Sequence, residues 1–200
     1  MRILVIGATG TIGRAIVAAL ADRHEIIPVS HRSTPLTVDF AQPDTIRALY
    51  RAAGPLDAVV CAAGQARFAP LAELSDADFQ FSLANKLMGQ VNLVRFGLER
   101  IREEGSFTLT GGVLARTPMP GSAAISLVNA GLEGFARAAA LEAPRGVRVN
   151  VVSPPWVTET LQALRMDPSL GQPAATVAQL YAQSVEGDRT GAVLELPRSV

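Results

Sequence analysis

Gly7-Ala8-Thr9-Gly10-Thr11-Ile12-Gly13 places three glycines and two threonines within seven residues, a combination suited to holding an oxyanion. Glycine carries no Cβ, so the backbone can come close to a pyrophosphate. The apolar run Ile3-Leu4-Val5-Ile6 precedes the turn and the helical pattern Arg14-Ala15-Ile16-Val17-Ala18-Ala19-Leu20 follows it. A helix that opens at such a turn directs unpaired N–H groups, at the positive end of its dipole, toward whatever lies there. Strand, glycine turn and helix therefore predict a dinucleotide phosphate site at Gly7, Thr9, Gly10, Thr11, Ile12 and Gly13. The alternative is a tight βα turn that binds nothing.

The turn after the second strand bears on which dinucleotide would bind. NAD sites place an Asp or Glu roughly twenty residues past the glycines to hold the ribose diol, whereas NADP sites place a cation there for the 2′-phosphate. Ser30-His31-Arg32-Ser33 occupies that place and contains no acid. Arg32 can offer a charged fork to a phosphate, with a hydroxyl from Ser30 or Ser33 beside it. NADP is thus expected over NAD, and the alternative is an exposed loop arginine. Lys86 is a second cation of interest. Leu83, Leu87, Val91 and Val94 trace the buried stripe of its helix, so Lys86 borders the core face and either reaches the nucleotide or is a solvated surface group.

The elements that must position these residues alternate along the chain. Short strands are expected at Glu25-Ile26-Ile27-Pro28-Val29-Ser30 and Leu36-Thr37-Val38, then a helix from Asp44 to Ala53 with Pro43 at its start and Gly54-Pro55 beyond its end. Leu56 to Cys61 reads as a fourth strand, Asp76 to Glu104 as a long helical region, and Ser106 to Thr110 as a fifth strand. A helix rich in Ala and Gly over Ser122 to Glu142, a strand over Val147 to Val152, a helix near Ala174 to Ser184 and a strand over Ala192 to Leu196 complete the chain. Thr117 to Gly121 and Asp167 to Pro173 read as loops. This order predicts an α/β Rossmann-type fold, a doubly wound sheet of about seven parallel strands with helices on both faces and ligands at the carboxyl ends of the strands.

Two hundred residues, 48% of them hydrophobic, suffice for one substantial core, so a single domain over 1–200 is expected. Basic and acidic residues balance at a net charge of zero, with a pI near 6.7. Without a basic stripe, nucleic acid and anionic membrane are poor partners. No apolar stretch reaches bilayer length, and the first strand begins at Arg2, leaving no room for a targeting peptide. A cytoplasmic protein with a small-molecule substrate is expected. Cys61 is the only cysteine and the two histidines, His24 and His31, lie far from any second soft ligand, so no metal site is expected.

Three further segments stand out: Val38-Asp39-Phe40 after the third strand, Cys61-Ala62-Ala63-Gly64 after the fourth, and Val149-Asn150-Val151-Val152-Ser153-Pro154-Pro155-Trp156-Val157 along and beyond the sixth. With the glycine turn they resemble the short-chain dehydrogenase/reductase family, over essentially the whole chain. The resemblance implies a seven-stranded Rossmann sheet binding NAD or NADP. It further implies an adenine contact at Asp39 and Phe40, small residues under the adenosine at Ala62, Ala63 and Gly64, and a cofactor contact at Pro154. Helices near Asn85 to Leu98 and Ser122 to Glu142 resemble the pair through which members form homodimers or homotetramers.

The family's chemistry maps poorly onto this chain. Members use a Ser, a Tyr-x-x-x-Lys pair and an Asn, the lysine lowering the phenol's pKa from the same helix face. Here Gly112 falls at the serine position, Ile125 at the tyrosine, Asn129 at the lysine and Lys86 at the asparagine. The chain thus resembles atypical members that keep the glycine turn without the active-site residues. Three explanations stand: a one-residue slip that brings in Ser126, loss of catalysis with nucleotide binding retained, or a rearranged site. In the rearranged site Lys86 returns the missing charge and water or another hydroxyl, such as that of Thr110, handles the proton. Asn129 either bonds a ribose hydroxyl or satisfies buried backbone. Thr110-Gly111-Gly112 lies beside the expected nicotinamide or is simply a tight turn. Cys61 is expected to fill the core, Trp156 and Tyr181 to line a pocket or pack a lid helix, and Glu159 to fall near a threonine that contacts the carboxamide in the family.

Overall fold

In β1 (Arg2–Ile6) Ile3 and Val5 enter one apolar cluster while Leu4 and Ile6 enter another on the opposite face. Successive strand residues point to opposite sides, so a strand covered on both faces is an unbroken apolar run. The computed structural model describes residues 1–197, so the last three positions of the expected 1–200 domain lie outside the described residues. It continues through α1 (Thr11–Leu20), β2 (Glu25–Ser30), β3 (Leu36–Thr37), α2 (Pro43–Ala53) and β4 (Leu56–Cys61). Next come α3 (Asp76–Ser82), α4 (Gly89–Gly97), β5 (Ile101–Thr110) and α5 (Ala123–Glu142). The chain then forms β6 (Arg148–Val152), α6 (Thr158–Ala163), α7 (Ala174–Glu186) and β7 (Val193–Leu194).

All seven strands are parallel, in the order β3-β2-β1-β4-β5-β6-β7. Helices α1 and α7 cover one face, with Ile16, Leu20, Val177 and Tyr181 in its core. Helices α2, α4 and α5 cover the other, with Ile46, Leu49, Leu93 and Leu132 in its core. The strand order reverses between β1 and β4, which opens a crevice at their carboxyl ends, Ile6 and Cys61. No helix among the described residues is long and apolar enough to cross a membrane.

The expected helix from Asp76 to Glu104 is corrected. It divides into α3, a π-helical segment over Leu83–Met88, and α4, and it ends at Gly97. Strand β5 therefore starts at Ile101, not Ser106. Its first half carries an irregularity, with Glu104 at φ 58° and a register shift against β4 between Leu56 and Ala58. The apolar residues of β5 cluster after Gly105, so the irregular first half carries a helix-like polar composition. Strands β3 and β7 are each two residues long, shorter than expected, and α6 lies in a stretch where no helix was expected.

A fully buried amide ties the broken helix to the sheet. Gln90, at the start of α4, donates from Nε2 to the Thr110 carbonyl at 3.0 Å and accepts from the Thr110 N–H at 2.8 Å. Both free backbone groups at the end of β5 are thereby satisfied without water, and the π-helical segment is held above the carboxyl end of the sheet.

Candidate functional site

The three glycines of the first turn have different physical reasons. Gly7 sits at φ 83°, and a Cβ there would lie 2.6 Å from the Ala62 carbonyl oxygen at the end of β4. A Cβ on Gly13 would lie 1.9 Å from the Gly7 oxygen, so these two glycines let turn, strand and helix close upon one another. Gly10 meets only the Gly7 oxygen, at 3.3 Å. It is the N-cap of α1 and supplies no capping side chain, so the N–H groups of Thr11, Ile12 and Gly13 have no acceptor among the described residues. Ile12 packs against the core, and Arg14 fixes the turn by donating to the Thr9 carbonyl at 2.5 Å. Bare donors at a helix N-terminus are an anion site.

A cleft of about 400 Å³ opens beside this turn. Gly7, Thr9 and Gly10 form one wall, Ser30 and His31 the end of β2, Asp39 and Phe40 another wall, and Ala62, Ala63 and Gly64 its floor. The Ser30 hydroxyl accepts from the Ser33 N–H at 2.8 Å and organises the turn after β2. Arg32 is exposed on that turn, outside the cleft lining, with no ion pair among the described residues. Asp39 accepts from the Ala41 N–H at 3.0 Å and from Gln42 at 3.2 Å, while Phe40 packs where a Cβ on Gly89 would stand.

A second cleft, of about 480 Å³, meets the first at Gly64 and Gln65 and is lined further by Arg67, Phe81, Lys86 and Ile125. The π-helical turn places Asn85 on the first cleft and Lys86 on the second. Gly64, at φ 131°, lies against Lys86, to whose Cγ a Cβ would be 3.1 Å away. Lys86 is half-buried and has no hydrogen bond or ion pair among the described residues. Burial brings its ammonium down from 10.5 to about 8.

Thr110, expected beside the reacting groups, is turned into the core. Its hydroxyl donates to the Cys61 carbonyl and meets the Tyr181 hydroxyl at 2.7 Å, so it is committed beneath the cleft floor. Asn129 is 2% exposed and lies outside both cleft linings. Its Nδ2 is 3.4 Å from the Gly112 carbonyl, and a Cβ on Gly112 would be 2.9 Å from the same atom. Its Oδ1 is buried without a partner. The asparagine thus fills space that a side chain at position 112 would need. Pro154 is buried and its carbonyl accepts from the Val113 N–H at 3.0 Å, again away from both clefts.

Tyr181 is fully buried and burial pushes its phenol well above the ordinary range, so it packs the sheet and offers no proton. Trp156 is half-buried, its carbonyl accepting from Gln172 at 2.8 Å. Glu159 caps α7, both carboxylate oxygens accepting from the Ala174 N–H at 3.1 and 3.0 Å. Cys61 is a buried thiol pushed up to about 12 by desolvation, which makes it core filler. Sequence reasoning missed Gln65, Arg67, Phe81 and Asn85. Arg67 and Phe81 become neighbours only in space, the guanidinium lying 4.3 Å from the ring centroid.

A family model described as enoyl-(acyl carrier protein) reductase matches residues 7–185. The structure superposes on that of the protein lin1944 from Listeria innocua with a TM-score of 0.95, at 38% identity over 98% of this chain and 100% of that one. A small-chain dehydrogenase in complex with NADPH is similar in fold, with a TM-score of 0.86 and 21% identity over 98% of this chain and 96% of the other. Hydroxynaphthalene reductase arp2 of Aspergillus fumigatus is 30% identical over 154 residues, 76% of this chain. The chain spans 52% of that relative's length and 41% of that of 2,3-dihydro-2,3-dihydroxybenzoate dehydrogenase of Escherichia coli.

Lys86 carries a stability cost with a definite sign. An unfolded lysine titrates at 10.5 and the folded one at about 8. Below the lower value both states are charged and the cost of desolvation is full; between the two values folded Lys86 is neutral and the cost is relieved. Lys86→Met is expected to raise the melting temperature at pH 7, and its advantage over the wild type is expected to shrink from about 8 to 10.5. Thermal denaturation across that range checks this.

Proposed function

Because the chain belongs to the short-chain dehydrogenase/reductase family, we propose that it is an NADP-dependent oxidoreductase acting on a small carbonyl, alcohol or quinone through a rebuilt active site. The observation that carries this reading is Lys86, which lines the second cleft against Gly64 and whose ammonium has no partner among the described residues. The residues fit a dinucleotide: bare N–H groups at the start of α1 for the pyrophosphate, and an apolar-floored cleft ending at Phe40 for the adenosine. Arg32 and His31 at the end of β2, with no acid in the turn, favour the 2′-phosphate. The NADPH held by the structurally similar small-chain dehydrogenase supports the same choice. The orphaned Oδ1 of Asn129 is not part of this assignment, since it lies outside the clefts.

When bound, the nicotinamide supplies or accepts hydride. Lys86 then has the complementary role. In reduction its ammonium hydrogen-bonds the substrate's carbonyl oxygen, lowers the cost of the developing negative charge and transfers a proton to it. An amine near pH 8 is a stronger acid than a solvated lysine while remaining largely protonated at neutral pH. Ile125, beside it in the cleft, has no proton to give and serves as an apolar wall that excludes water.

The same isoleucine supports a second reading, a nucleotide-binding protein without turnover that reports NADP status or serves as a subunit. Self-association through α4 and α5 belongs to either reading. Leu127, Ala130, Gly134 and Leu141 form an exposed stripe of small and apolar residues on α5, a surface suited to close helix approach.

Calorimetry, reduction assays and light scattering test these statements. Arg32→Ala is expected to weaken NADP roughly tenfold in calorimetry with NAD little changed; equal losses for both would overturn the assignment of the turn. Lys86→Met is expected to lower carbonyl reduction by about a hundredfold or more, and wild-type reduction is expected to fall as pH rises through about 8. Tight NADP binding with no reduction of any quinone, ketone or aldehyde would favour the second reading. Light scattering at micromolar concentration is expected to give a dimer or tetramer, and a monomer would count against the α5 surface.

A further inference from the structure

The second cleft carries more cationic character than proton transfer to a neutral carbonyl requires. Lys86 and Arg67 both line it, and no acidic residue does. Arg67 is also held in place. Its backbone N–H donates to the Ser82 hydroxyl at 3.0 Å, its guanidinium stacks 4.3 Å from the Phe81 ring centroid, and its Nε pairs with Asp78 at 3.2 Å.

Asp78 in turn is fixed by Ser75. One carboxylate oxygen accepts from the Ser75 N–H at 3.0 Å and its hydroxyl at 2.6 Å, and the other faces Arg67. These bonds hold the Asp78 carboxyl below the usual range, so it stays ionised and anchors Nε. The two terminal nitrogens of the guanidinium keep no protein acceptor among the described residues. An arginine oriented from behind through Nε, with its terminal nitrogens free, presents the paired donors that an oxyanion accepts in bidentate fashion. Its flat face is already covered by Phe81.

We propose that the substrate of this cleft is a carbonyl compound that also bears a carboxylate, the carboxylate held by Arg67 and the carbonyl oxygen by Lys86. This rests on reading the Lys86 cleft as the substrate half. Phe81 and Ile125 supply the apolar walls for the carbon skeleton between the two polar ends. The cleft's volume of about 480 Å³ falls within the range of small-molecule sites. Arg67 is a binding residue here and takes no part in proton transfer.

Phenylpyruvate and phenylacetone share a benzyl group and a ketone and differ in a carboxylate against a methyl, which makes them suitable probes of the full chain. Calorimetric titration without cofactor is expected to show phenylpyruvate binding at least about tenfold more tightly than phenylacetone. Arg67→Met should abolish that difference while NADP affinity stays unchanged. Arg67→Lys, which keeps the charge without the fork, should recover part of it. Equal binding of the two probes, or a preference that survives Arg67→Met, would each overturn the proposal. If Arg67→Met also loses NADP, the comparison passes to Arg67→Lys, whose failure to weaken phenylpyruvate would likewise overturn it. Arg67-dependent binding of phenylpyruvate without NADPH consumption would leave this proposal standing and remove the proposed turnover instead.

Discussion

The site depends on one close approach, that of the Gly7 backbone to the end of β4. A Cβ on Gly7 would stand 2.6 Å from the Ala62 carbonyl oxygen, so only glycine lets the first turn close against the exit of the fourth strand. That closure sets the crevice between β1 and β4, aims the uncapped start of α1 along it and makes Ala62-Ala63-Gly64 its floor. Gly64 continues the same constraint. Its own missing Cβ admits Lys86 to contact distance, which links the glycine-turn end of the crevice to the π-helical turn, Lys86 standing more than twenty residues further along the chain.

The π-helical turn shows why a helix can be legible in sequence while its functional face is not. Leu83, Leu87, Val91 and Val94 fit a regular period, and Val91 and Val94 are indeed buried. A wider turn over Leu83–Met88 shifts the phase, leaving Leu83 and Leu87 only half-buried and bringing both Asn85 and Lys86 toward the clefts. Such turns sacrifice regular hydrogen bonding and recur where a helix must present side chains that a regular one would hide. Here Gln90 compensates just beyond the turn, with both of its amide bonds made to the end of β5.

The alternation of strands and helices and the glycine turn could be read directly because each rests on local composition, and the floor residues were reached through the family resemblance. The roles of Thr110, Asn129 and Glu159 could not be read directly. Each is polar and stands near a functional position of the family, and each is committed to a structural partner distant in sequence: Tyr181, Gly112 and the start of α7. Arg67 and Phe81 were silent for the converse reason. Neither belongs to a motif, and their chemistry arises from the Ser75–Asp78 cap that positions them.

The four residues set against the family's catalytic positions do not all differ from them in the same direction, which bears on the rebuilt site proposed above. Ile125 is apolar, and Asn129 occupies space that a side chain at position 112 would require. The isoleucine is what packing alone would select there, whereas the asparagine leaves its Oδ1 buried without a partner among the described residues. Position 86 moved the opposite way. An ammonium held half-buried without a counter-ion among the described residues costs stability at neutral pH, since desolvation lowers its affinity for the proton. Packing would favour a methionine or leucine there, beside Ile125 and Phe81. On the function proposed above, the partner that Lys86 lacks among the described residues is an oxyanion or a carbonyl oxygen in the cleft that it lines.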